Sequence, residues 1–248
     1  ARGSDPGVGA QAGDPLRRYA GDDAGRDPLS AVGPRDMAGA SNAWAAAPGR
    51  SAAGASLLAN DPHMAFSAPS PFYLARLQLQ SGGVIGATIP GIPAILAGRN
   101  EAFGWGIAAS YADDQDLFLE EQDPANPERY RTPDGWKVFE TRRSIISIRD
   151  EAPLTVTLRW SVNGPILPGG HFDLQSVTPP GHVMALGWTG LSPADTSMSA
   201  AIGLMQARSM GEALVAGATQ IAPALTVTMA EKGRVGMALF GALPARDA

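Results

Sequence analysis

The stretch LTVTMAEKGRVGMALF, residues 225–240, contains two short runs of apolar and β-branched residues on either side of Lys232 and Gly233. Each run has the length of a strand, and a glycine between two such runs supports a tight turn. We therefore predict a β-hairpin here, with strands over 225–230 and 235–240. The pair is antiparallel, which points to a sheet built from neighbouring segments of the chain.

Other segments carry the same signal. Over residues 154–160 leucine, valine and tryptophan alternate with threonine and arginine, which predicts a half-buried strand. Residues 144–148 and 183–188 also have strand composition. Repeated short strands of this kind predict a mostly antiparallel sheet.

Helical signals are fewer. Ser209 followed by Glu212 forms a capping box ahead of an alanine-rich run, which predicts the start of a helix. A second helix is predicted over 199–208, and residues 71–80 fit a helix or a strand. The chain shows neither a βαβ rhythm nor a glycine-rich phosphate loop, so the fold class predicted is α+β.

Composition excludes several functions. The 248 residues are 44% hydrophobic, which is enough for a core, and 24 acidic residues against 19 basic ones give a net charge of −5 without a basic cluster. This balance argues against nucleic acid as a partner. Without cysteine, thiol catalysis, zinc–thiolate sites and disulfides are ruled out. The longest uncharged run, 77–98, contains glutamines and prolines that argue against a membrane span.

The first 40 residues differ from the rest. They are rich in Gly, Asp, Arg and Pro and contain few large apolar residues, so we expect a flexible leader or spacer. No N-terminal segment combines the basic start, apolar run and cleavage site of an export signal.

Four motifs then follow in order. They are SNAW from Ser41, LLANDPH ending at His63, GIPAILAGRNEAFGWG from Gly91 and DDQD from Asp113. Each motif is weak alone, but together, at this spacing, they resemble the penicillin acylase family. The resemblance extends from Ser41 to about Pro244.

The resemblance implies an N-terminal nucleophile hydrolase, part of an αββα sandwich. In that family a precursor cuts itself, and the catalytic serine becomes the first residue of the large (beta) subunit. Residues 1–40 would then be a leader or a small-subunit remnant, and 41–248 the N-terminal part of the beta-subunit domain. The remaining alpha and beta segments of the precursor would be its partners, and its location would be periplasmic or secreted.

By position the nucleophile is Ser41, and the cut falls between Ala40 and Ser41. A serine hydroxyl needs a base, and a free α-amine, with a pKa near about 8, can accept its proton through a water. One residue thus supplies both groups. The small side chains of Gly39 and Ala40 leave the peptide bond accessible to attack.

The resemblance also implies the residues around the nucleophile. The backbone N–H of Ala109 corresponds to one oxyanion donor, and Thr226 stands where the family has a second donor, an asparagine. His63 would hold the amine and hydroxyl of Ser41 in place. Asn42 and Asn60 would be supporting amides. A threonine hydroxyl can donate a hydrogen bond, but it is shorter than the amide it replaces.

The DDQD motif supplies oxygen ligands of the kind that calcium takes. By resemblance, a structural Ca²⁺ would be held by Asp113, Asp116 and the backbone carbonyl of Gln115. The alternative is a solvated acidic loop.

Two functional classes follow from these residues. The first is an amide hydrolase that removes the acyl group of an N-acyl compound, such as a β-lactam or an acyl-homoserine lactone. The second is an inactive fragment of the same fold with a binding or assembly role, which the threonine at position 226 favours. Metal-dependent hydrolysis at the aspartates ranks third, because no histidine lies near them in the sequence.

Overall fold

A computed structural model describes residues 40–64, 68–80 and 82–246. Within these residues the chain forms two compact units, one of residues 40–118 with 186–246 and the other of residues 119–185. The predicted leader, apart from Ala40, lies outside the described residues. None of the helices described is both long enough and apolar enough to cross a membrane.

The described secondary structure is mostly strand. Its elements in chain order are β1 (Ala40–Ala46), β2 (Leu57–His63), β3 (Tyr73–Leu79), β4 (Gly82–Thr88), β5 (Ala97–Arg99), β6 (Phe103–Ala109), β7 (Gln115–Asp123), β8 (Asn126–Thr132), β9 (Gly135–Val138), β10 (Glu140–Ile146), β11 (Leu154–Ser161), β12 (Gly164–Pro165), β13 (His182–Trp188), α1 (Ser197–Gln206), α2 (Met210–Gly217), β14 (Leu225–Glu231) and β15 (Arg234–Phe240).

The larger unit is built on a six-stranded antiparallel sheet. Its strand order is β15-β14-β6-β5-β4-β3, and the separate hairpin β1-β2 packs near β6 and β14. Because alternate residues of a strand face opposite sides, β6 and β14 offer one set of side chains to the helices and another to the hairpin.

The core lies on the helix side of this sheet. Val227 and Met229 of β14 and Trp105 of β6 are almost fully buried there, together with Leu204 of α1 and Ala213 of α2. The indole N–H of Trp105 donates to the carbonyl of Leu96 at 3.0 Å, so its polar atom is also satisfied. The helices therefore cover one face of the sheet and leave the other to the hairpin.

The smaller unit contains short antiparallel ladders. One sheet has the order β10-β11-β12, and β7 pairs with β8, which pairs with β9. Tyr130 and Phe139 stack in its interior with ring centroids 4.6 Å apart. The chain enters this unit along β7 and leaves it along β13.

The predicted hairpin and strands are confirmed. The hairpin at 225–240 is β14-β15 with its turn at Lys232 and Gly233, and residues 183–188 lie in β13. The strand predicted over 144–148 lies in β10 as far as Ile146, where that strand ends. The ambiguous segment 71–80 contains strand β3. The half-buried pattern over 154–160 holds at first and then fails, because Leu158 is 42% exposed while Arg159 packs its guanidinium over the Phe139 ring.

Both predicted helices are present as well. Helix α2 begins after Ser209, whose hydroxyl accepts a hydrogen bond from the Glu212 N–H at 3.2 Å. The Glu212 carboxylate in turn accepts from the N–H of Arg208 at 2.9 Å. Helix α1 begins at Ser197, two residues before the predicted start. A local signal is also present there, because the Asp195 carboxylate accepts from the N–H of Ser197 at 3.0 Å.

Candidate functional site

Hairpin β1-β2 holds the predicted nucleophile. The two strands pair antiparallel without a break, so that Ser41 lies opposite Pro62 and Asn42 opposite Asp61. Along β1 the residues alternate between half-buried Ser41 and Ala43 and exposed Asn42. Ser41 therefore belongs to the inner face of the hairpin. The bond predicted to be cut joins the first two residues of β1.

Asn60 joins this hairpin to β6. Its side-chain oxygen accepts from the N–H of Ile107 at 3.1 Å, and its amide nitrogen donates to the carbonyl of Ile107 at 2.9 Å. The same nitrogen donates to the carbonyl of Asn42 at 2.9 Å. One side chain thus binds the main chain of β6 and that of the residue after Ser41.

Two glycines of β6 fix the register of the hairpin over the sheet. A Cβ at Gly104 would meet the Leu58 side chain at 3.1 Å, and a Cβ at Gly106 would meet that of Asn60 at 2.8 Å. Leu58 thus lies over Gly104 and Asn60 over Gly106, so that the two strands run in step. Two residues further along each strand, Pro62 lies at the same height as Ala108, and so does Ser41, which is paired with Pro62.

The level of Ala108 is also the level of Thr226. In the ladder between β6 and β14, Ala108 is paired with Thr226 and Gly106 with Thr228. Paired residues share a face, so these two threonines are on the hairpin side of the sheet, whereas Val227 points into the core. The register thus carries Ser41 toward Thr226.

Ala109 presents its N–H at an open edge of β6. Asn60 binds both the N–H and the carbonyl of Ile107, so these groups point away from β14, and in a strand the N–H two residues further points the same way. β5 pairs with β6 only at Gly104 and Trp105. The Ala109 N–H is therefore directed to the side of β6 where β5 has ended.

Thr228 is a polar residue that the sequence analysis missed. Its side chain is buried, while Thr226 is half-buried, and both lie on the face toward the hairpin. The repeat TVT in β14 contains the signal, because two threonines at a spacing of two must share a face. Either hydroxyl is a possible donor on this side of the sheet.

His63 lies on the opposite face of the hairpin from the Ser41 side chain. Its Nε2 is 2.7 Å from the Asp61 carboxylate and 3.5 Å from the Asn42 amide nitrogen. Both of those residues are exposed on the outer face. Residues 57–63 form strand β2, which pairs along its whole length with β1. The alternation of that strand separates His63 from the serine hydroxyl.

The predicted calcium ligands contact an arginine. The guanidinium of Arg246 lies 3.1 Å from an Asp116 carboxylate oxygen and 3.2 Å from one of Asp113. It also donates to the Asp113 carbonyl at 3.0 Å. The hydrogen bond to Asp116 raises the pKa of Arg246, and the negative charge of Asp113 adds to this effect.

These residues do not complete a calcium site by themselves. Asp113, Gln115 and Asp116 would supply two carboxylates and one carbonyl, whereas calcium takes about six to eight oxygens. Within residues 40–64, 68–80 and 82–246, no group of three or more His, Asp or Glu side chains is placed to hold a metal ion. The cation that faces the two carboxylates is the arginine, and calcium binding there stays a prediction.

A groove of about 900 Å³ runs along the hairpin side of the sheet. Leu58, Asn60 and Pro62 form its wall on the hairpin, and Leu74 and Ile85 are among the sheet residues that line it. The groove therefore borders the strand that is paired with the nucleophile.

The family model described as penicillin amidase matches residues 7–248 of this chain. Among curated proteins, the acyl-homoserine lactone acylase QuiP of Pseudomonas aeruginosa is 28% identical over 212 residues, which are 84% of this chain and 25% of that protein. The penicillin acylase 2 proenzyme of Pseudomonas sp. strain SE83 is 30% identical over 141 residues, 56% of this chain and 18% of that protein. The chain thus spans a quarter or less of these relatives.

A solved structure gives the same result for the fold. The thermostable penicillin G acylase from Alcaligenes faecalis superposes with a TM-score of 0.74 at 25% identity. The match covers 83% of this chain and 36% of that one. The strands and helices described above are therefore arranged as in that acylase.

Proposed function

Because this chain belongs to the penicillin amidase family, we propose that it forms the nucleophile-bearing region of an amide hydrolase that removes the acyl group of an N-acyl compound. The observation that carries the proposal is the register of hairpin β1-β2, which brings Ser41 to the level of Ala108 and Thr226. Two of its relatives are named acyl-homoserine lactone acylase and penicillin acylase. We therefore propose one of these two N-acyl classes as the substrate.

The first step is self-cleavage. The Ser41 hydroxyl attacks the carbonyl carbon of Ala40, the C–N bond breaks, and an ester forms while the nitrogen becomes the free amine of Ser41. Water then hydrolyses the ester and releases the carboxylate of Ala40. The products are a serine with a free amine and a free hydroxyl, which is the pair that the second reaction needs.

The hydrolysis of substrate uses the same groups. The Ser41 oxygen attacks the acyl carbonyl as its proton passes to the α-amine, directly or through a water. The oxyanion receives a hydrogen bond from the Ala109 N–H, and the Thr226 hydroxyl on the neighbouring strand is the second donor that the resemblance implies. A donor of this kind lowers the activation free energy by about 3 kcal/mol. The C–N bond breaks, the proton goes to the leaving amine, and water hydrolyses the acyl ester to release the acid.

A second candidate is an inactive member of the family. The observation that favours it is Thr226, which stands where the resemblance implies an asparagine donor. In that case the chain retains the fold and binds N-acyl compounds or other segments of its precursor without turnover. We also propose, from the family alone, a periplasmic or secreted location, which fractionation of cells expressing the protein tests.

The mass of the purified protein tests the proposal. We expect the protein expressed from its complete coding region to yield a chain that begins at Ser41, and Ser41→Ala to abolish both this cleavage and acyl release. Ser51→Ala, which changes a serine in the turn after β1, serves as the control and should retain both. Uncleaved wild-type protein with no acyl release from N-acyl-homoserine lactones or penicillins would favour the inactive member instead.

A further inference from the structure

The side chain of Asn60 occupies an unusual place in the sheet. It binds the N–H and the carbonyl of one residue, Ile107, in the way that a residue of a neighbouring strand would. β5 pairs with Gly104 and Trp105 and is not paired with Ile107. The amide of Asn60 therefore continues the ladder of β6 where β5 ends.

The third hydrogen bond of Asn60 points to the nucleophile strand. Its amide nitrogen donates both hydrogens, one to Ile107 and one to the carbonyl of Asn42, each at 2.9 Å. Asn42 follows Ser41 directly, and Ile107 precedes Ala109 by two residues. One rigid amide thus sets the separation between the main chain beside the serine and the strand that carries the Ala109 N–H.

The packing around Asn60 leaves little room for adjustment. The absence of a side chain at Gly106 allows Asn60 to approach β6, since a Cβ there would lie 2.8 Å from that of Asn60. Leaving the Ile107 groups without partners would be costly, because they are part-buried main-chain groups. The hairpin is therefore held to β6 at one defined distance.

We infer that Asn60 is a positioning residue, which holds Ser41 against the oxyanion donor of β6 through the main chains of Asn42 and Ile107. This inference rests on the proposed function. The amide atoms of Asn60 are engaged by the main chains of Ile107 and Asn42, so its loss should slow the chemical step and leave substrate binding almost unchanged. A misplacement of the reacting groups by about 1 Å can lower the rate by about 100-fold.

The variant Asn60→Asp tests the inference. The carboxylate can still accept from the Ile107 N–H, but it can donate neither to Ile107 nor to Asn42 and it faces two carbonyls. We expect kcat to fall by about 10- to 100-fold with KM within about twofold of wild type. Protonation of the carboxyl restores one donor, so the ratio of variant to wild-type kcat should rise as the pH is lowered from about 8 to about 5.

Asn100→Asp is the matched control. Asn100 also bridges main-chain groups, since its amide donates to Met205 and Ala207 and its oxygen accepts from Ala102 and Phe103. It lies just before the start of β6, and Ala109 is the last residue of that strand. We expect this variant to lose thermal stability while its kcat below the melting temperature stays within about twofold of wild type and shows no pH-dependent recovery.

The outcomes separate this inference from the proposed function. An active wild type with an inactive Ser41→Ala, together with an Asn60→Asp variant of unchanged kcat, overturns the positioning role and leaves the hydrolase intact. The same is true if Asn60→Asp raises KM alone, or if Asn100→Asp lowers kcat equally. A wild type that neither cleaves itself nor releases acyl groups overturns both.

Discussion

Gly106 of β6 and Asn60 of β2 are packed without space for a side chain between them. A Cβ at Gly106 would lie 2.8 Å from the Asn60 Cβ and 3.0 Å from its Cγ. Contacts this short force a shift of one strand relative to the other. We expect Gly106→Ala to destabilise the protein by about 1–3 kcal/mol and to lower acyl release, because the hairpin that carries Ser41 must move.

Denaturation and steady-state kinetics on the same samples check this prediction. Gly49→Ala is the control, since Gly49 lies in the turn after β1 and has no atom within 4 Å of an added Cβ. It should change the stability by less than about 0.5 kcal/mol. A Gly106→Ala variant as stable and as active as Gly49→Ala would show that the strands tolerate a wider spacing.

The threonine pair of β14 gives the second prediction. Thr226→Val keeps the shape of the side chain and removes its hydroxyl. If Thr226 donates to the oxyanion, kcat should fall by about 100- to 1,000-fold, as for other lost oxyanion donors. KM should change little. The measurement is the rate of acyl release with an N-acyl substrate at saturating concentration.

Thr228→Val is the matched variant for that measurement. Thr228 lies two residues further along on the same face and is buried opposite Gly106. We expect it to affect stability more than kcat. The reverse result, a rate lost with Thr228→Val and retained with Thr226→Val, would move the donor two residues along β14.

The sequence predicted the elements of the sheet better than the orientation of the site. Hairpin β14-β15 and the cap at Ser209 follow from local signals, namely a glycine turn and a serine with a glutamate three residues later. The role of His63 beside Ser41 comes from the family resemblance, which does not state on which face of a strand the side chain lies. The pairing of β2 with β1 is a tertiary contact, and only that pairing reveals which face the histidine occupies.

Long-range partners explain the rest of the difference. Asn60 meets Ile107 across 47 residues and Arg246 meets Asp116 across 130. No local period or spacing in the chain connects such pairs. The contact between Asp61 and His63 differs, because two residues at a spacing of two in a strand share a face. Once residues 57–63 are known to form a strand, this contact can be predicted from the sequence.

Glu231 at the end of β14 gives a prediction of pH dependence. Its carboxylate accepts from the Met210 N–H at 2.6 Å, at the start of helix α2, and it pairs with Arg234. The bond to Met210 and then that to Arg234 hold the pKa of Glu231 below its ordinary value. Because the pKa of Glu231 is lower in the folded state than its ordinary value of 4.5, the ionised carboxylate stabilises the fold at pH values above 4.5. This stabilisation is lost as the pH falls through the pKa of the folded state.

We therefore expect Glu231→Gln to be less stable than wild type at pH 7, with a difference that shrinks as the pH falls below about 4.5. Urea denaturation at a series of pH values measures it. Glu140→Gln, an exposed residue of β10, is the control and should follow the wild-type curve. A constant difference between Glu231→Gln and wild type at all pH values contradicts the assignment, because it would reflect packing alone.

The last prediction concerns the cation at Asp113 and Asp116. Arg246→Ala leaves both carboxylates without the guanidinium that now lies 3.1–3.2 Å from them. We expect a lower melting temperature at low salt, a difference that shrinks in about 1 M NaCl because salt screens exposed charges, and a larger stabilisation by added Ca²⁺ than in wild type. Thermal denaturation with calcium and with EDTA measures each effect.

Arg149→Ala, which removes an exposed ion pair with Asp150, is the control and should respond to calcium as wild type does. If instead EDTA lowers the melting temperature of the wild type and calcium restores it, the ion binds with Arg246 in place and the arginine is not its substitute.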